Sequence, residues 1–256
     1  MTAPIWLLGC GNMGGALLRR WLGAELGPVV VIDPAPRGLP DGVEAVATPP
    51  AGRPDIIVLA VKPQLWWAAT EALADRAGPT TLIVSIMAGV TTAAMARRFP
   101  ASPIIRAMPN TPAGVGHGAT ALFSTAGDLA EGAAEALFGP AGMTFWLRDE
   151  VDFDAVTAVS GSGPAYVFAF IEGLAAAAVA AGLAPDLADR LARATVIGAA
   201  ALAAADPAVP PGELRTRVTS PGGTTAAALD VLRPGLDPLL QRAVAAAAER
   251  SRQLGG

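Results

Sequence analysis

A single cysteine, Cys10, and a single histidine, His117, occur in 256 residues. That excludes an internal disulfide framework and a cysteine-based zinc site, and it leaves a histidine-based metal site short of ligands. No metal is expected. Lysine also occurs once, at Lys62, among 18 basic residues. With 22 acidic residues the formal charge is −4 and there is no basic block, so a nucleic-acid partner is not expected. Charged residues make up only 16% of the chain against 52% hydrophobic, which excludes disorder as the global state.

A membrane span is not expected either, although the mean hydropathy is +0.46. The most apolar stretch, Ala194–Ala205, has twelve residues, whereas a membrane span needs about 20. Arg190 and Arg193 precede it and Asp206 follows it. It reads as a buried helix, with no membrane association expected. The N-terminus carries no basic region of the secretory kind, so a cytoplasmic enzyme is the expectation.

What is present is a change of pattern part-way along. Short β-branched runs at Ile5–Leu8, Val29–Ile32, Asp55–Val61, Thr81–Ile86 and Ile104–Met108 alternate with helical segments near 64–77, 91–98 and 127–138. Weaker strand signals lie at Ala119–Phe123 and Met143–Leu147. Such alternation predicts a mostly parallel sheet covered on both faces. Past about residue 150 the strand signal stops. Alanine-rich helices are expected over 163–181, 185–205, 222–232 and 235–253. The chain is therefore read as α/β, with an N-terminal domain over 1–150 and an all-α domain over 151–256. Helices this apolar imply surface buried in an oligomer.

The first chemical signal is Gly9-X-Gly11-X-X-Gly14, placed between a strand and a helix. That context makes it a dinucleotide fingerprint of Rossmann-like domains. Gly9 permits the tight turn, Gly11 lets backbone approach a pyrophosphate, and Gly14 lets helix and strand pack closely. The second strand ends at Asp33, nineteen positions beyond Gly14. An acid there suits a ribose 2′-hydroxyl, whereas an arginine nearby suits a 2′-phosphate. Both Asp33 and Arg37 are present, and the choice between NADH and NADPH stays open. Val61-Lys62-Pro63 follows the Asp55–Val61 run, at the strand end where ligands of open sheets gather. Arg106 through Pro112 forms a stiff two-proline loop at another strand end, where Asn110 could orient a nicotinamide or simply belong to a connector. Ser160 through Tyr166 and Thr219 through Thr225 each precede a helix. Each offers hydroxyls and free N–H groups suited to an anion, or serves as a helix cap. Cys10 reads as a spacer in the glycine turn, His117 as solvated, and Trp66 and Trp67 as packing.

Taken together, these motifs resemble the pyrroline-5-carboxylate reductase family over nearly the whole chain. The resemblance rests on Gly9-Cys10-Gly11-Asn12-Met13-Gly14, Val61-Lys62-Pro63 and Arg106 through Pro112. It continues through Asp154-Ala155-Val156-Thr157, Ser160 through Tyr166, and Val218 through Thr225. It implies a helical domain that interlocks with a second subunit, giving a homodimer at least, with a larger assembly such as a decamer open. NADPH or NADH would reduce the ring imine of 1-pyrroline-5-carboxylate to L-proline. Asn12, Met13, Lys62, Pro63 and Asn110 fall where the family contacts its cofactor. The loop carrying Ser220, Gly222, Gly223, Thr224 and Thr225 would hold the substrate carboxylate, with Thr225 near the ring nitrogen. The sequence departs from the family at Ala208-Val209-Pro210-Pro211, where an acid followed by His-Pro is common, and at Arg215-Thr216.

The inventory suits this chemistry. Hydride transfer to an imine is largely a matter of alignment, and an iminium needs no strong general acid. A 3-hydroxyacid dehydrogenase of similar plan would need a lysine in the helical half, and none follows Lys62. A non-catalytic dinucleotide sensor is the remaining alternative, and it has no need of two anion-binding loops.

Overall fold

In the computed structural model, residues 4–36 and 38–255 are described. Eight strands form one sheet: β1 (Ile5–Leu8), β2 (Val29–Ile32), β3 (Ala45–Val46), β4 (Ile56–Leu59), β5 (Leu82–Ser85), β6 (Ile104–Met108), β7 (Gly118–Ser124) and β8 (Gly142–Trp146). Their order across the sheet is β3-β2-β1-β4-β5-β6-β7-β8. The chain thus winds outward from β1 through β2 and returns to place β4 on the other side of β1. That reversal is the switch point at whose strand ends open α/β sheets bind ligands.

The strands form where β-branched residues are buried on both faces, as Val31, Ile32, Ile57, Val58, Ile83 and Val84 are. The helix α1 (Asn12–Gly23) and α5 (Glu131–Phe138) cover one face through Leu17, Leu18, Trp21, Leu137 and Phe138. The Trp21 indole N–H donates to the Leu137 carbonyl at 2.6 Å and joins these two helices. The other face is covered by Leu73 of α3 (Glu71–Ala74) and Met95 of α4 (Thr92–Arg98).

The sheet is mostly parallel, as expected, with one antiparallel pair, while one expected helix needs correcting. β6 and β7 run antiparallel. Only the nine residues from Pro109 to His117 connect them, too few for the crossover that a parallel pair requires. The helix expected over 64–77 is broken into a 3₁₀ turn, α2 (Trp66–Ala69) and α3. Buried Thr70 sits at the break and its hydroxyl donates back to the Trp66 carbonyl at 2.8 Å, a bond that competes with helix continuation.

The strand signal ends near residue 150, but the packing division comes later. The chain divides into Met1–Ser162 together with Ala247–Gly256, and Gly163–Ala246. The first unit includes α6 (Phe153–Val156) and a π turn over Thr157–Gly161. It also takes the last turns of α10 (Thr224–Gly255), whose Ser251 hydroxyl donates to Asp154 at 2.6 Å. The second unit holds α7 (Gly163–Ala180), α8 (Pro185–Ala205), α9 (Pro211–Arg217) and the start of α10. α7 and α8 pack on each other. Within this unit Ala188 and Ala192 are the buried residues among those described, while Phe168, Ile197 and Val231 are 64%, 68% and 83% exposed. Ala194–Ala205, expected as a buried helix, is instead exposed in the single chain apart from half-buried Val196, and the described residues of this unit form no hydrophobic core of their own.

α10 is another correction, since two helices were expected with a break before residue 235. Pro234 and Pro238 lie inside one continuous helix. Each ring removes a bond to the carbonyl four residues back. Asp230 and Pro234 are exposed in this chain, so water can take the places the rings vacate.

Candidate functional site

The glycine turn joins β1 to α1 at the switch point. Gly9 has φ +92°, and a Cβ on it would lie 2.8 Å from the Ala60 carbonyl oxygen and 2.9 Å from Val61 Cγ1. A Cβ on Gly14 would collide with the Gly9 carbonyl oxygen. These two glycines let helix, turn and β4 pack together. Gly11 differs, because a Cβ there would meet nothing within 4 Å. It is the N-cap of α1, no side chain caps this helix start, and no acid stands in the first turn. Asn12 is exposed and Met13 half-buried. The first-turn N–H groups have no intrahelical partner, and the helix dipole adds partial positive charge. The cradle therefore fits a pyrophosphate, with Gly11 as its open floor.

Cys10, between the glycines, is fully buried. Its thiol is pushed above the ordinary range, first by burial and then by the charge of Asp33, with Arg19 acting in the opposite direction. A neutral buried thiol is a spacer, not a nucleophile.

Asp33 stands at the end of β2 as expected, but its carboxylate is engaged. One oxygen accepts the Cys10 N–H at 2.7 Å and the other the Ala35 N–H at 2.9 Å. Asp33 thus ties the glycine turn to the turn after β2. Arg37 lies outside the described residues. Val61 and Pro63 are half-buried. Lys62 is exposed, starts the 3₁₀ turn Pro63–Leu65, and has no ion pair among the described residues. Asn110 is 8% exposed. Its oxygen accepts the Ala119 N–H at 2.8 Å, and its amide N–H donates to the Ser160 carbonyl at 3.0 Å. Its side chain braces the β6–β7 connection against the π turn, which leaves one N–H for a ligand.

The two hydroxyl-rich segments diverge. Ser160 through Tyr166 was expected to open onto a free helix start. Instead Ser162 keeps helical backbone and its N–H donates to the Thr157 carbonyl at 2.8 Å, the i→i+5 bond of a π turn. The Ser160 hydroxyl donates to the Val156 carbonyl at 3.1 Å. This segment is part of a helical run and offers no open N-terminus. The second segment does. Gly222 has φ +70°, the Gly223 N–H closes a turn onto the Ser220 carbonyl at 3.0 Å, and α10 begins at Thr224. Ser220, Thr224 and Thr225 are exposed. The hydrogen bonds of the described residues leave their hydroxyls unpartnered. Thr219 and Ala226, which flank the turn, line an open groove of about 590 Å³ with Arg215, Asp230 and Arg233.

Comparison with known proteins gives this arrangement its context. Residues 150–254 match the family described as pyrroline-5-carboxylate reductase dimerisation, and residues 4–89 match the NADP oxidoreductase, coenzyme F420-dependent family. A pyrroline-5-carboxylate reductase from Pseudomonas aeruginosa is 40% identical, covering 99% of this chain and 97% of that protein. One from Synechocystis is 38% identical over 100% and 99%. The chain belongs to the pyrroline-5-carboxylate reductase family. Its fold is that of solved relatives. A pyrroline-5-carboxylate reductase structure from Coxiella burnetii superposes with a TM-score of 0.90 at 34% identity, covering 100% of both chains. A Plasmodium falciparum pyrroline carboxylate reductase with NADP bound superposes at 0.86 and 28% identity, covering 99% and 98%. Membership gives the coreless helical unit a context, because it lies within the region that matches a dimerisation family, a match that supports homo-oligomerisation.

Arg106, read from the sequence only as the first residue of the two-proline motif, has a role of its own. Arg106, 8% exposed on β6, donates to Glu150 at 2.9 Å and lies 4.2 Å over the Phe153 ring. The Glu150 carboxylate also accepts the Thr92 N–H at 2.8 Å and the Thr92 hydroxyl at 2.6 Å. Strand, α4 and the entry to α6 are tied through one carboxylate. The sequence signal was an arginine inside a β-branched strand, where a charge is buried only with a partner.

Proposed function

We propose that the chain reduces the ring imine of 1-pyrroline-5-carboxylate to L-proline with NADPH or NADH as hydride donor. The observation that carries this reading is that a member of this family has both an open glycine cradle at the sheet's switch point and, in its other unit, a free, hydroxyl-rich helix start at Ser220–Thr225. A bound nicotinamide supplies the hydride. Gly9, Gly11 and Gly14, with the N–H groups of Asn12 and Met13, hold the diphosphate. Val61, Lys62 and Pro63 stand at the end of the neighbouring strand β4, and Asn110 fixes the β6–β7 connection. The loop of Ser220, Gly222, Gly223 and Thr224 receives the substrate carboxylate on its hydroxyls and on the N–H groups that closing the turn leaves free. The ring nitrogen enters protonated, so carbon gains the hydride and nitrogen keeps its proton, and no strong acid is needed. Thr225 accepts the ring N–H bond and fixes which carbon face is presented. Residues 1–150 carry the cofactor in this reading, and 151–256 the substrate loop and the dimer contact.

The test is turnover of pyrroline-5-carboxylate, followed by loss of the reduced nicotinamide's near-ultraviolet absorbance. Thr225→Ala is expected to lower kcat/KM by roughly tenfold to a hundredfold, the cost of one hydrogen bond to a charged group. Cofactor affinity should stay within about twofold. Unchanged turnover would remove Thr225 from the site. Cofactor binding by the parent protein without any turnover would turn the reading to a sensor.

The same reading takes the subunits as a homodimer, with a decamer as the larger assembly, in the cytoplasm. Ala194–Ala205 was expected to be the most apolar stretch, but it is the helical run Glu150–Ala180, with mean hydropathy 1.5 over 18 residues, that is long and apolar enough to cross a membrane. None of that window is buried within one chain. In this reading a second copy covers that surface, which the match of residues 150–254 to a dimerisation family supports. Light scattering is expected to give twice the chain mass or a multiple of it. A monomer that still turns over at micromolar concentration would overturn this.

A further inference from the structure

We propose that Arg19 is the residue that recognises the 2′-phosphate of NADPH in this protein. The inference rests on the dinucleotide reading above and concerns one corner of that site. In this fold the turn after β2 faces the adenosine ribose, where an acid selects a free 2′-hydroxyl and an arginine a phosphate. Asp33 occupies the acid's position, but each of its oxygens already accepts a backbone N–H, from Cys10 and from Ala35. Its charge is spread over two donors and its orientation is fixed by the glycine turn.

Arg19 brings an opposite charge to the same corner from α1. A helical side chain leans toward its own N-terminus, so a residue two turns into α1 can reach back to the glycine turn. The Arg19 guanidinium donates to the Gly38 carbonyl at 3.1 Å, across the turn that begins at Asp33. A Cβ on Gly15 would lie 3.7 Å from both Arg19 Nη1 and Cys10 Sγ, which places the guanidinium beside the turn that Asp33 braces. The downward pull of Arg19 on the Cys10 thiol reports the same proximity. Arg19 is exposed and has no carboxylate partner among the described residues. One bond to a loop carbonyl leaves most of its five N–H donors for a ligand. A phosphate monoester matches that donor fork, whereas a ribose hydroxyl does not require it.

The test needs no catalysis. Adenosine 2′,5′-bisphosphate and adenosine 5′-monophosphate share every group except the 2′-phosphate, and both can be titrated by calorimetry. Arg19→Ala is expected to weaken the bisphosphate about tenfold, the effect of one exposed charge-assisted contact. The monophosphate should change less than about twofold. Arg19→Lys should recover part of the loss, and added salt should shrink the difference between parent and variant. Kinetics should follow, with kcat/KM for NADPH falling and that for NADH held.

Equal weakening of both nucleotides would make Arg19 a general brace and overturn the proposal. So would an unchanged Arg19→Ala alongside an Arg37→Ala variant that loses the bisphosphate. If the parent protein binds neither nucleotide, the dinucleotide reading falls and this inference with it. If the parent turns over with both cofactors and Arg19→Ala leaves their ratio alone, only the inference falls.

Discussion

Gly11→Val is expected to lower dinucleotide affinity by more than about a hundredfold while the protein melts within a degree or two of its parent. The two halves of this expectation have separate causes. A Cβ on Gly11 meets nothing within 4 Å, and its backbone is extended at φ −78°, ψ −160°, so the folded chain accepts valine. The same open space is where a pyrophosphate must approach backbone closely, and two methyl groups there keep it away. The neighbouring glycines supply the contrast. Valine at Gly14 would strike the Gly9 carbonyl, and valine at Gly9 would combine a left-handed φ with a clash on Ala60. Those variants should lose the fold before they lose the ligand. Fluorescence titration with cofactor, beside a thermal melt, separates the cases. Tight binding by a well-folded Gly11→Val would remove the turn from the cofactor site.

Glu150→Ala should be the most damaging single change away from the turn. It strips three hydrogen bonds from one carboxylate and leaves Arg106 charged, with its side chain 9% exposed. Breaking a buried pair by removing one partner costs about 3–5 kcal/mol. Glu150 retains 20% side-chain exposure, so water screens part of the effect. An expected loss of about 3 kcal/mol corresponds to a melting point roughly 6–12 °C lower for a chain of this size. Glu150→Gln keeps an acceptor for Thr92 and should cost less. Replacing Arg106 and Glu150 together by apolar residues should cost less than Glu150→Ala alone, since no charge is then stranded. Thermal and denaturant melts of the three variants decide the matter. A Glu150→Ala protein that melts like its parent would show that the network contributes nothing.

What the sequence disclosed was what short-range chemistry controls. β6 runs over Ile104–Met108 and α8 over Pro185–Ala205, as their residue patterns predict. In each case composition and boundary residues agree, β-branched side chains for the strand and Pro185 at the helix start for α8. Hidden features depended on partners distant along the chain. β3 is two residues long and exists because Ala45 and Val46 meet Val31 and Ile32. The Ser160–Ser162 motif looked like a cap because serine and glycine favour helix starts. Its place in a π turn depends on bonds to Val156 and Thr157 and on the brace from Asn110. At the site, the glycines and the Ser220–Thr225 turn were legible because their function is local backbone geometry. Asp33 was legible in position but not in engagement, since its two partners are set by how β2 meets the glycine turn. The Arg106–Glu150 pair and the placement of Arg19 stayed hidden because a charge shows its purpose only through what lies across from it.

The helical unit, with only two alanines buried among its described residues, has a consequence for how the protein is produced. In the homodimer proposed above, a newly made chain leaves its helical unit incomplete until a second copy arrives, with apolar flanks open to proteases and chaperones. Completion is a second-order event, so its speed rises with the square of the supply of unpaired chains. Halving the rate of synthesis should therefore lower the amount of finished enzyme by more than half, and diluting purified protein should lower its melting temperature without any change in buffer.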